Sequence, residues 1–132
     1  MSDENVEAWG RAIEAFNDRN AEGMIAILDP DVEFRPLLAG VQEAPYRGEE
    51  GVREFLANTD DAFEFFRLDT ERIEDHGDFV LAVCEGHARG AASGAEIRRQ
   101  MTHIAEFRDG LCIWWRTFQT REEALEAAGL SQ

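Results

Sequence analysis

The sequence predicts an α+β domain in which N-terminal helices cover an antiparallel sheet. Three observations support this fold class. In the first half of the chain, apolar residues recur every three or four positions, as they do on one face of a helix. From Leu68 onward the spacing changes to every second position, which is typical of strands that bury one face. Short connections containing Gly and Asp join these strands, which indicates consecutive hairpins.

The N-terminal segment predicts two helices and a short strand. Asn5 is placed to cap a first helix, whose apolar face carries Val6, Trp9, Ile13 and Phe16. A second helix is expected over residues 21–28, since Pro30 disfavours further helix. Residues 32–35 then predict a strand that ends at Pro36.

The middle of the chain predicts a loop and a third helix. Residues 38–48 contain glycine and proline and indicate the loop. The helix is expected over residues 49–58, with a break near Thr59. After the break, helix is expected to continue through Phe63 and Phe66.

The C-terminal half predicts four strands and a final helix. The strands are expected at residues 68–74, 79–89, 97–107 and 111–119. Thr120 and Glu123 form a capping box that opens the helix, and Gly129 closes it. Because no repeat or linker interrupts the chain, residues 1–132 are expected to form one domain.

The register of the last hairpin has two alternatives. A three-residue loop at 108–110 pairs His103 with Trp115 and collects apolar residues on one face, so it is preferred. A two-residue loop would pair His103 with Arg116 instead. The preceding hairpin is expected to bring His87 near Arg99, well away from His103.

Composition excludes several classes of partner. With 28 acidic and 13 basic residues, the formal net charge is −15, and the chain has no basic stripe for nucleic acid or anionic membranes. No apolar run reaches the ~20 residues that span a bilayer, and the acidic start is unlike a signal peptide. Cys84 and Cys112 stand alone in apolar contexts, as reduced core thiols do. A soluble, cytoplasmic protein is expected.

Known chemical motifs are missing from the sequence. There is no Ser-His-Asp set, no glycine-rich phosphate loop and no His/Cys cluster at metal-ligand spacing. The histidines at positions 76, 87 and 103 are too dispersed for a metal site. Neither a metal nor a cofactor is therefore expected.

Segments along almost the whole chain resemble the nuclear transport factor 2-like superfamily and, within it, the SnoaL-like group. The segments that carry the resemblance are 15–17, 29–34, 46–48, 51–55, 107–110 and 122–129. The resemblance implies a cone-shaped α+β barrel, in which helices pack on a strongly curved antiparallel sheet and enclose a pocket. It also implies a homodimer through the outer face of the sheet. Members of the superfamily include isomerases, cyclases, dehydratases and non-catalytic binding proteins, so the fold alone does not define a function.

Three positions depart from the isomerase-like pattern of this superfamily. Arg35 stands before Pro36, where that pattern has a general-base Asp, and Ala12 lies near the position of a helix-one Tyr. His103 replaces the acidic residue before the last turn. Ketosteroid isomerase activity is therefore not expected. An epoxide hydrolase would need inward-facing aspartates, and the predicted strands have none.

The candidate catalytic residues are His103, Arg35 and Glu33. His103 could act as an acid/base or as a hydrogen-bond donor, or could simply pack against Trp115. Arg35 could bind an anion or pair with Glu33, which shares its strand parity and is a candidate base. Candidate ligand-binding residues are Trp9, Phe16, Tyr46, Phe55, Phe63, His87, Arg99, Met101 and Trp115.

Two hypotheses follow for the function. In the first, the pocket isomerises, cyclises or dehydrates a small apolar carbonyl-containing molecule without a cofactor. In the second, the same pocket serves a non-catalytic dimeric binding module. Trp114, of opposite parity to Trp115, is expected to face outward at the dimer interface.

Overall fold

In the computed structural model of the protein, residues 2–38, 41–42 and 45–129 are described. They form four α-helices and eight β-strands. The helices are α1 Ser2–Asn17, α2 Ala21–Ile25, α3 Gly48–Ala62 and α4 Arg121–Ala127. The strands are β1 Leu28–Arg35, β2 Leu37–Leu38, β3 Val41–Gln42, β4 Tyr46–Arg47, β5 Phe63–Asp75, β6 Phe79–Gly90, β7 Glu96–Arg108 and β8 Leu111–Phe118.

Six of the strands form one curved, open sheet in the order β4-β1-β8-β7-β6-β5. Strands β5 to β8 are consecutive antiparallel hairpins, as the sequence predicts. Strand β1 pairs in parallel with β8, so the sheet is mostly but not wholly antiparallel. Within the predicted loop 38–48, the described residues form the end of β2, the short strands β3 and β4 and the start of α3 at Gly48, while residues 39–40 and 43–44 lie outside the described residues. The α+β class is confirmed.

Helix α1 buries the predicted apolar face but begins earlier than expected. It starts at Ser2, so Asn5 lies inside the helix and does not cap it. The Asn5 amide instead donates to the Gly77 carbonyl in the β5–β6 turn, at 3.0 Å. At the other end, the Asn17 side chain donates to the Leu68 carbonyl at 2.8 Å and accepts from the Leu68 N–H at 2.9 Å. Both ends of the helix are thereby bound to strand β5 and its turn.

Two helix boundaries differ from the predictions, and at one of them a strand competes for the same residues. Helix α2 ends at Ile25, and Leu28 instead pairs with Cys112 in β8, so β1 begins before Pro30. Helix α3 runs through Thr59 without a break, and the Thr59 hydroxyl donates to the Phe55 carbonyl at 2.8 Å. At Leu28, pairing with a strand that is distant in sequence overrides the local helical pattern.

The predicted helical continuation through Phe63 and Phe66 is wrong. Both residues lie in β5, where Phe63 pairs with Gly90 and Phe66 with Ala88. A bulge between these pairs places both aromatic rings in the same core. Their spacing of three residues therefore imitates a helical face while belonging to a bulged strand.

The register of the β7–β8 hairpin differs from both sequence alternatives. A two-residue turn of Asp109 and Gly110, with φ of 55° and 81°, pairs Arg108 with Leu111. A bulge then shifts the pairing by one residue, so that His103 lies opposite Thr117 and not opposite Trp115. In the preceding hairpin, His87 pairs with Arg98, one residue from the expected Arg99, so the side chains of His87 and Arg99 point to opposite faces of the sheet.

The sheet has an inner face under α1 and α3 and an outer face partly covered by α4. The main core lies on the inner face and includes Phe34, Ala82, Met101 and Trp115. A smaller core lies between α4 and the outer face and comprises Leu81, Val83, Ile104, Phe118 and Ala124. Trp114 faces outward as predicted, but it packs against this smaller core. No helix among the described residues has the length and apolar character to cross a bilayer.

Candidate functional site

His103 lies near the middle of β7 on the inner face of the sheet, where only 2% of it is exposed. Strand alternation places Met101 and Ala105 on the same face, so the imidazole is embedded in the main core. Its ring centroid is 5.3 Å from that of Trp9 in α1 and 5.9 Å from that of Trp115 in β8. The sheet and the first helix thus enclose the imidazole from two sides.

The hydrogen bonds of His103 define which of its nitrogens carries the proton. The Trp115 indole N–H, which can only donate, lies 3.1 Å from His103 Nδ1. The Thr117 hydroxyl lies 3.0 Å from the same nitrogen. Since Nδ1 accepts, a neutral ring must carry its hydrogen on Nε2. That Nε2 is buried and has no partner among the described residues.

The same burial determines the charge state of His103. Desolvation lowers the pKa of His103 from 6.5 to about 3, because the core disfavours the imidazolium ion. The ring is therefore neutral near neutral pH. A neutral imidazole of this kind is a weak base, and its Nε2–H is a hydrogen-bond donor.

His103 borders a small cavity between the helices and the inner face. Its volume is about 10 Å³, enough for roughly one water molecule. Apart from His103 and Thr117, the walls are aromatic and aliphatic. The lining residues are Phe16, Pro36, Phe55, Phe66, Leu68, Met101, His103, Trp115 and Thr117. Among these described residues there is no carboxylate.

A second small cavity lies beside the first. It measures about 20 Å³ and is lined by Phe63, Phe66, Gly86, Ala88, Ile97, Arg99 and Met101. Phe66 and Met101 line both cavities. The only charged group in this second lining, among the described residues, is the Arg99 guanidinium.

Stacked aromatic rings support the cavity wall both on the helices and on the inner face of the sheet. Phe16 of α1 and Phe55 of α3 stack at 5.5 Å between centroids. Phe34 of β1 lies between two rings, with centroids 5.3 Å from Tyr46 and 5.4 Å from Trp115. Offset and edge-on aromatic contacts of this kind stabilise a rigid wall.

Arg35 and Glu33 do not face the cavity, contrary to the expectation that they could face it together. They share a parity, as predicted, but the residue between them, Phe34, is fully buried in the main core. Alternation then places both on the outer face, beside Trp114 and Arg116. Arg35 Nε lies 3.3 Å from a Glu33 carboxylate oxygen, and Arg47 lies 3.1 Å from the other oxygen.

Most of the predicted ligand-binding residues lie at the two cavities. Phe16, Phe55, Met101 and Trp115 line the first cavity, and Phe63, Arg99 and Met101 line the second. Trp9 lies against the His103 ring, and its own N–H donates to the Thr70 hydroxyl at 3.2 Å.

Two of the predicted ligand-binding residues lie elsewhere. Tyr46 is buried against Phe34, and its hydroxyl accepts from the Asn58 amide at 2.8 Å, so it supports the wall. His87 alternates with the core residue Ala88 and faces outward, between Phe65 and Glu96. His87 is therefore separated from the cavities by the sheet.

The sequence interpretation did not single out Thr117, Leu68 or Pro36. Thr117 shares the parity of Trp115, and Leu68 opens the run of alternating residues, so both carried a usable signal. Pro36 was interpreted as the end of a strand only. Its place in the wall follows from the parallel pairing of β1 with β8, which local pattern does not indicate.

Solved structures with this fold were found over nearly the full chain. An NTF2-like protein of unknown function from Burkholderia pseudomallei K96243 is 19% identical, with a TM-score of 0.79 over 96% of this chain and 97% of that chain. TerC co-crystallised with polyporic acid is 22% identical, with a TM-score of 0.76 over 96% of this chain and 97% of the TerC chain. A hypothetical protein with a ketosteroid isomerase-like fold from Catenulispora acidiphila DSM 44928, in complex with trimethylamine, is 16% identical, with a TM-score of 0.76 over 94% and 93%.

The fold is the NTF2-like fold of these solved structures, with a small apolar cavity on the inner face of its sheet. Residues 9–115 match the family model of the SnoaL-like domain. The chain therefore belongs to the SnoaL-like domain family. A comparison with curated proteins finds no match.

Proposed function

We propose that this protein binds a small apolar molecule through an oxygen acceptor, with His103 Nε2–H as the donor. The observation that carries the proposal is the buried Nε2, which has no partner within the described part of the chain, on a ring that borders an apolar cavity. A buried polar group without a hydrogen bond costs about 1–3 kcal/mol. An incoming carbonyl oxygen would remove that cost, whereas a hydrocarbon of the same shape would not.

The cavity as described holds about one water molecule, so a ligand must displace side chains or open the chamber. Met101 is the most adaptable part of the wall, because its thioether chain has several rotatable bonds. The more rigid aromatic residues, Phe16 and Phe55 among them, would then define the shape of the ligand. Apolar pockets with a few well-placed polar groups are the usual form of small-molecule sites.

Binding is favoured over isomerisation by the chemistry of the walls. Moving a proton between carbon atoms needs a base, and the described lining contains no carboxylate and only a weakly basic imidazole. The neutral Nε2–H can polarise a carbonyl, so catalysis would take the form of assisting a reaction that the ligand itself undergoes. The complex of TerC with polyporic acid supports a small organic ligand for this fold.

A matched pair of probes tests the proposal. 2-Tetralone and tetralin have nearly the same shape and differ in one carbonyl oxygen. A ligand that binds only the folded state raises the melting temperature more when it binds more tightly. We therefore expect 2-tetralone to raise the melting temperature more than tetralin does. In His103→Asn, the shorter amide lies near the position of Nδ1 and does not reach the position of Nε2. The two probes should then raise the melting temperature equally.

The control is His76→Gln, which changes a histidine in an exposed turn stacked on Phe79. This variant should keep the preference for 2-tetralone. Equal shifts for the two probes on the unmodified protein, or a preference that survives in His103→Asn, would contradict a donor role for His103.

A further inference from the structure

The two cavities are adjacent compartments separated by movable side chains. Both are bounded by Phe66 and Met101, so no backbone needs to lie between them. Met101 is the more mobile of the two, since a thioether chain is long, unbranched and flexible. A rotation of Met101 would join the compartments into one chamber along strand β7.

Gly86 leaves room for the Met101 side chain. A Cβ atom built on Gly86 would lie 2.6 Å from the Met101 methyl carbon, so that methyl occupies the space a larger residue would fill. The pair lies on neighbouring strands of the inner face, where Gly86 is opposite Arg99 and Cys84 is opposite Met101. The Met101 part of the partition is therefore a flexible side chain over a glycine.

The far compartment ends at a cation without a carboxylate partner among the described residues. Arg99 is exposed, lines this compartment and shares the inner face of β7 with Met101 and His103. Its neighbour Arg98, on the outer face, is 3.1 Å from the Glu85 carboxylate. Arg99 is thus available to an anionic group that approaches the chamber.

We propose that the joined chamber binds an elongated apolar carboxylate that also carries a carbonyl or hydroxyl oxygen. The carboxylate would pair with Arg99, the chain would displace Met101, and the second oxygen would accept from His103. Arg99 and His103 are four residues apart on one strand, or about 13 Å between Cα atoms. This inference rests on the proposed function, because it takes the His103 end of the site from it.

Salt weakens the repulsion between the acidic surface and such a ligand. The net charge of −15 is distributed over the whole chain. At physiological ionic strength, charges more than ~8 Å away are largely screened. The Arg99 guanidinium, which lines the cavity, offers the ligand carboxylate a charge-assisted hydrogen bond at contact distance.

Three probes separate the two ends of the site. 9-Oxodecanoic acid has both groups, its methyl ester lacks the charge, and decanoic acid lacks the ketone. Affinity is measured by titration calorimetry on the full chain. We expect the keto acid to bind about fivefold more tightly than its ester, a ratio suited to an exposed ion pair.

The variant Arg99→Gln should remove the preference for acid over ester and keep the preference of the keto acid over decanoic acid. The matched control Arg98→Gln, one residue away on the outer face, should change neither. Equal binding of acid and ester to the unmodified protein would overturn the assignment of Arg99 while leaving the proposed function intact. If the unmodified protein also failed to prefer the keto acid over decanoic acid, or bound none of the probes, both the assignment of Arg99 and the proposed function would be overturned.

Discussion

At the scale of single residues, His103 combines features that rarely occur together. It is buried, accepts hydrogen bonds at one nitrogen and has no described partner at the other. Its neutral form is stabilised by the core and by two donors, so protonation of the ring would disrupt its surroundings. The acid sensitivity of folding should therefore depend on this residue.

Folding stability should fall as the pH falls below about 6.5, since the unfolded chain then binds a proton at His103 that the folded chain excludes. From the pKa of about 3 in the folded state, the loss between about pH 7 and pH 5 is on the order of 2 kcal/mol. Urea denaturation at the two pH values measures it. In His103→Asn that part of the loss should disappear; an unchanged pH dependence would contradict the assignment.

The two thiols should be unreactive in the folded protein. Burial raises the pKa of Cys84 to about 11 and that of Cys112 to about 12, and the thiolate is the reactive form. We expect Ellman's reagent to label neither thiol in buffer and both in denaturant. Rapid labelling of the native protein would show that the core opens at these strands.

At the scale of elements, the Asn17 amide makes the bidentate hydrogen-bonded contact between the first helix and the sheet. Asn17 exchanges two hydrogen bonds with the Leu68 backbone on the edge strand β5. Asn5, on the same helix, makes a single exposed bond to Gly77. The first contact is partly buried and bidentate, so its removal leaves the Leu68 peptide groups without partners.

Asn17→Ala should lower the free energy of unfolding by about 2 kcal/mol, because two partly buried backbone groups lose their bonds. Asn5→Ala is the matched control and should cost less than about 0.5 kcal/mol, as an exposed position does. The shift in the midpoint of urea denaturation measures the loss of stability in each variant, provided that the dependence of the unfolding free energy on urea keeps the same slope. Equal effects would mean that α1 is held by its apolar face alone.

The partition between the cavities should also be measurable in stability. Met101→Ala removes a buried side chain and joins the two cavities, which should cost about 2–4 kcal/mol. In this variant no methionine has to be displaced when 9-oxodecanoic acid binds. Its melting temperature should therefore rise more on binding than that of the unmodified protein. A smaller rise would show that Met101 contributes contacts to the ligand.

At the scale of the whole molecule, the open sheet has two kinds of outer surface. Helix α4 covers the part around Leu81 and Ile104. The part formed by β1 and β8 carries Glu33, Arg35 and the half-buried Trp114. The predicted homodimer would use this outer face, and its formation stays a prediction.

Dimerisation should depend on salt, because each copy has a formal net charge of −15 and the copies repel one another. Sedimentation velocity at about 10 mM and about 500 mM salt should show more dimer at high salt, where the Debye length is shorter. Trp114→Gln should weaken the dimer if this face is the interface. A monomer under both conditions would contradict the expected assembly.

Much of the fold was predictable from local pattern. The four long strands, the turns between them and the apolar face of α1 follow from periods of two and 3.6 residues. The errors fall where pairing partners distant in sequence decide the conformation, as at Phe63, Phe66 and Leu28. The bulges between Phe63 and Phe65 and between Glu106 and Phe107 were also not predictable, since an inserted residue leaves no mark on composition.

The candidate site was predictable in its members and less so in its geometry. Of the predicted residues, His103, Trp115, Phe16 and Phe55 line one cavity, whereas Phe63 lines the other. Arg35 and Glu33 were expected to be able to face that cavity, and they lie on the other side of the sheet. Parity shows that two residues share a face, but it does not show which face is covered by helices.

The sequence by itself determined the α+β class, the strands and the apolar character of the interior, because these depend on local periodicity and composition. The tertiary structure alone decided the register that brings Thr117 and Trp115 to His103 Nδ1. It also decided which arginine reaches a cavity: Arg99 does, and Arg35 pairs with Glu33. These outcomes depend on bulges and on strand pairs far apart in the chain, whose energies are settled only when the sheet is assembled.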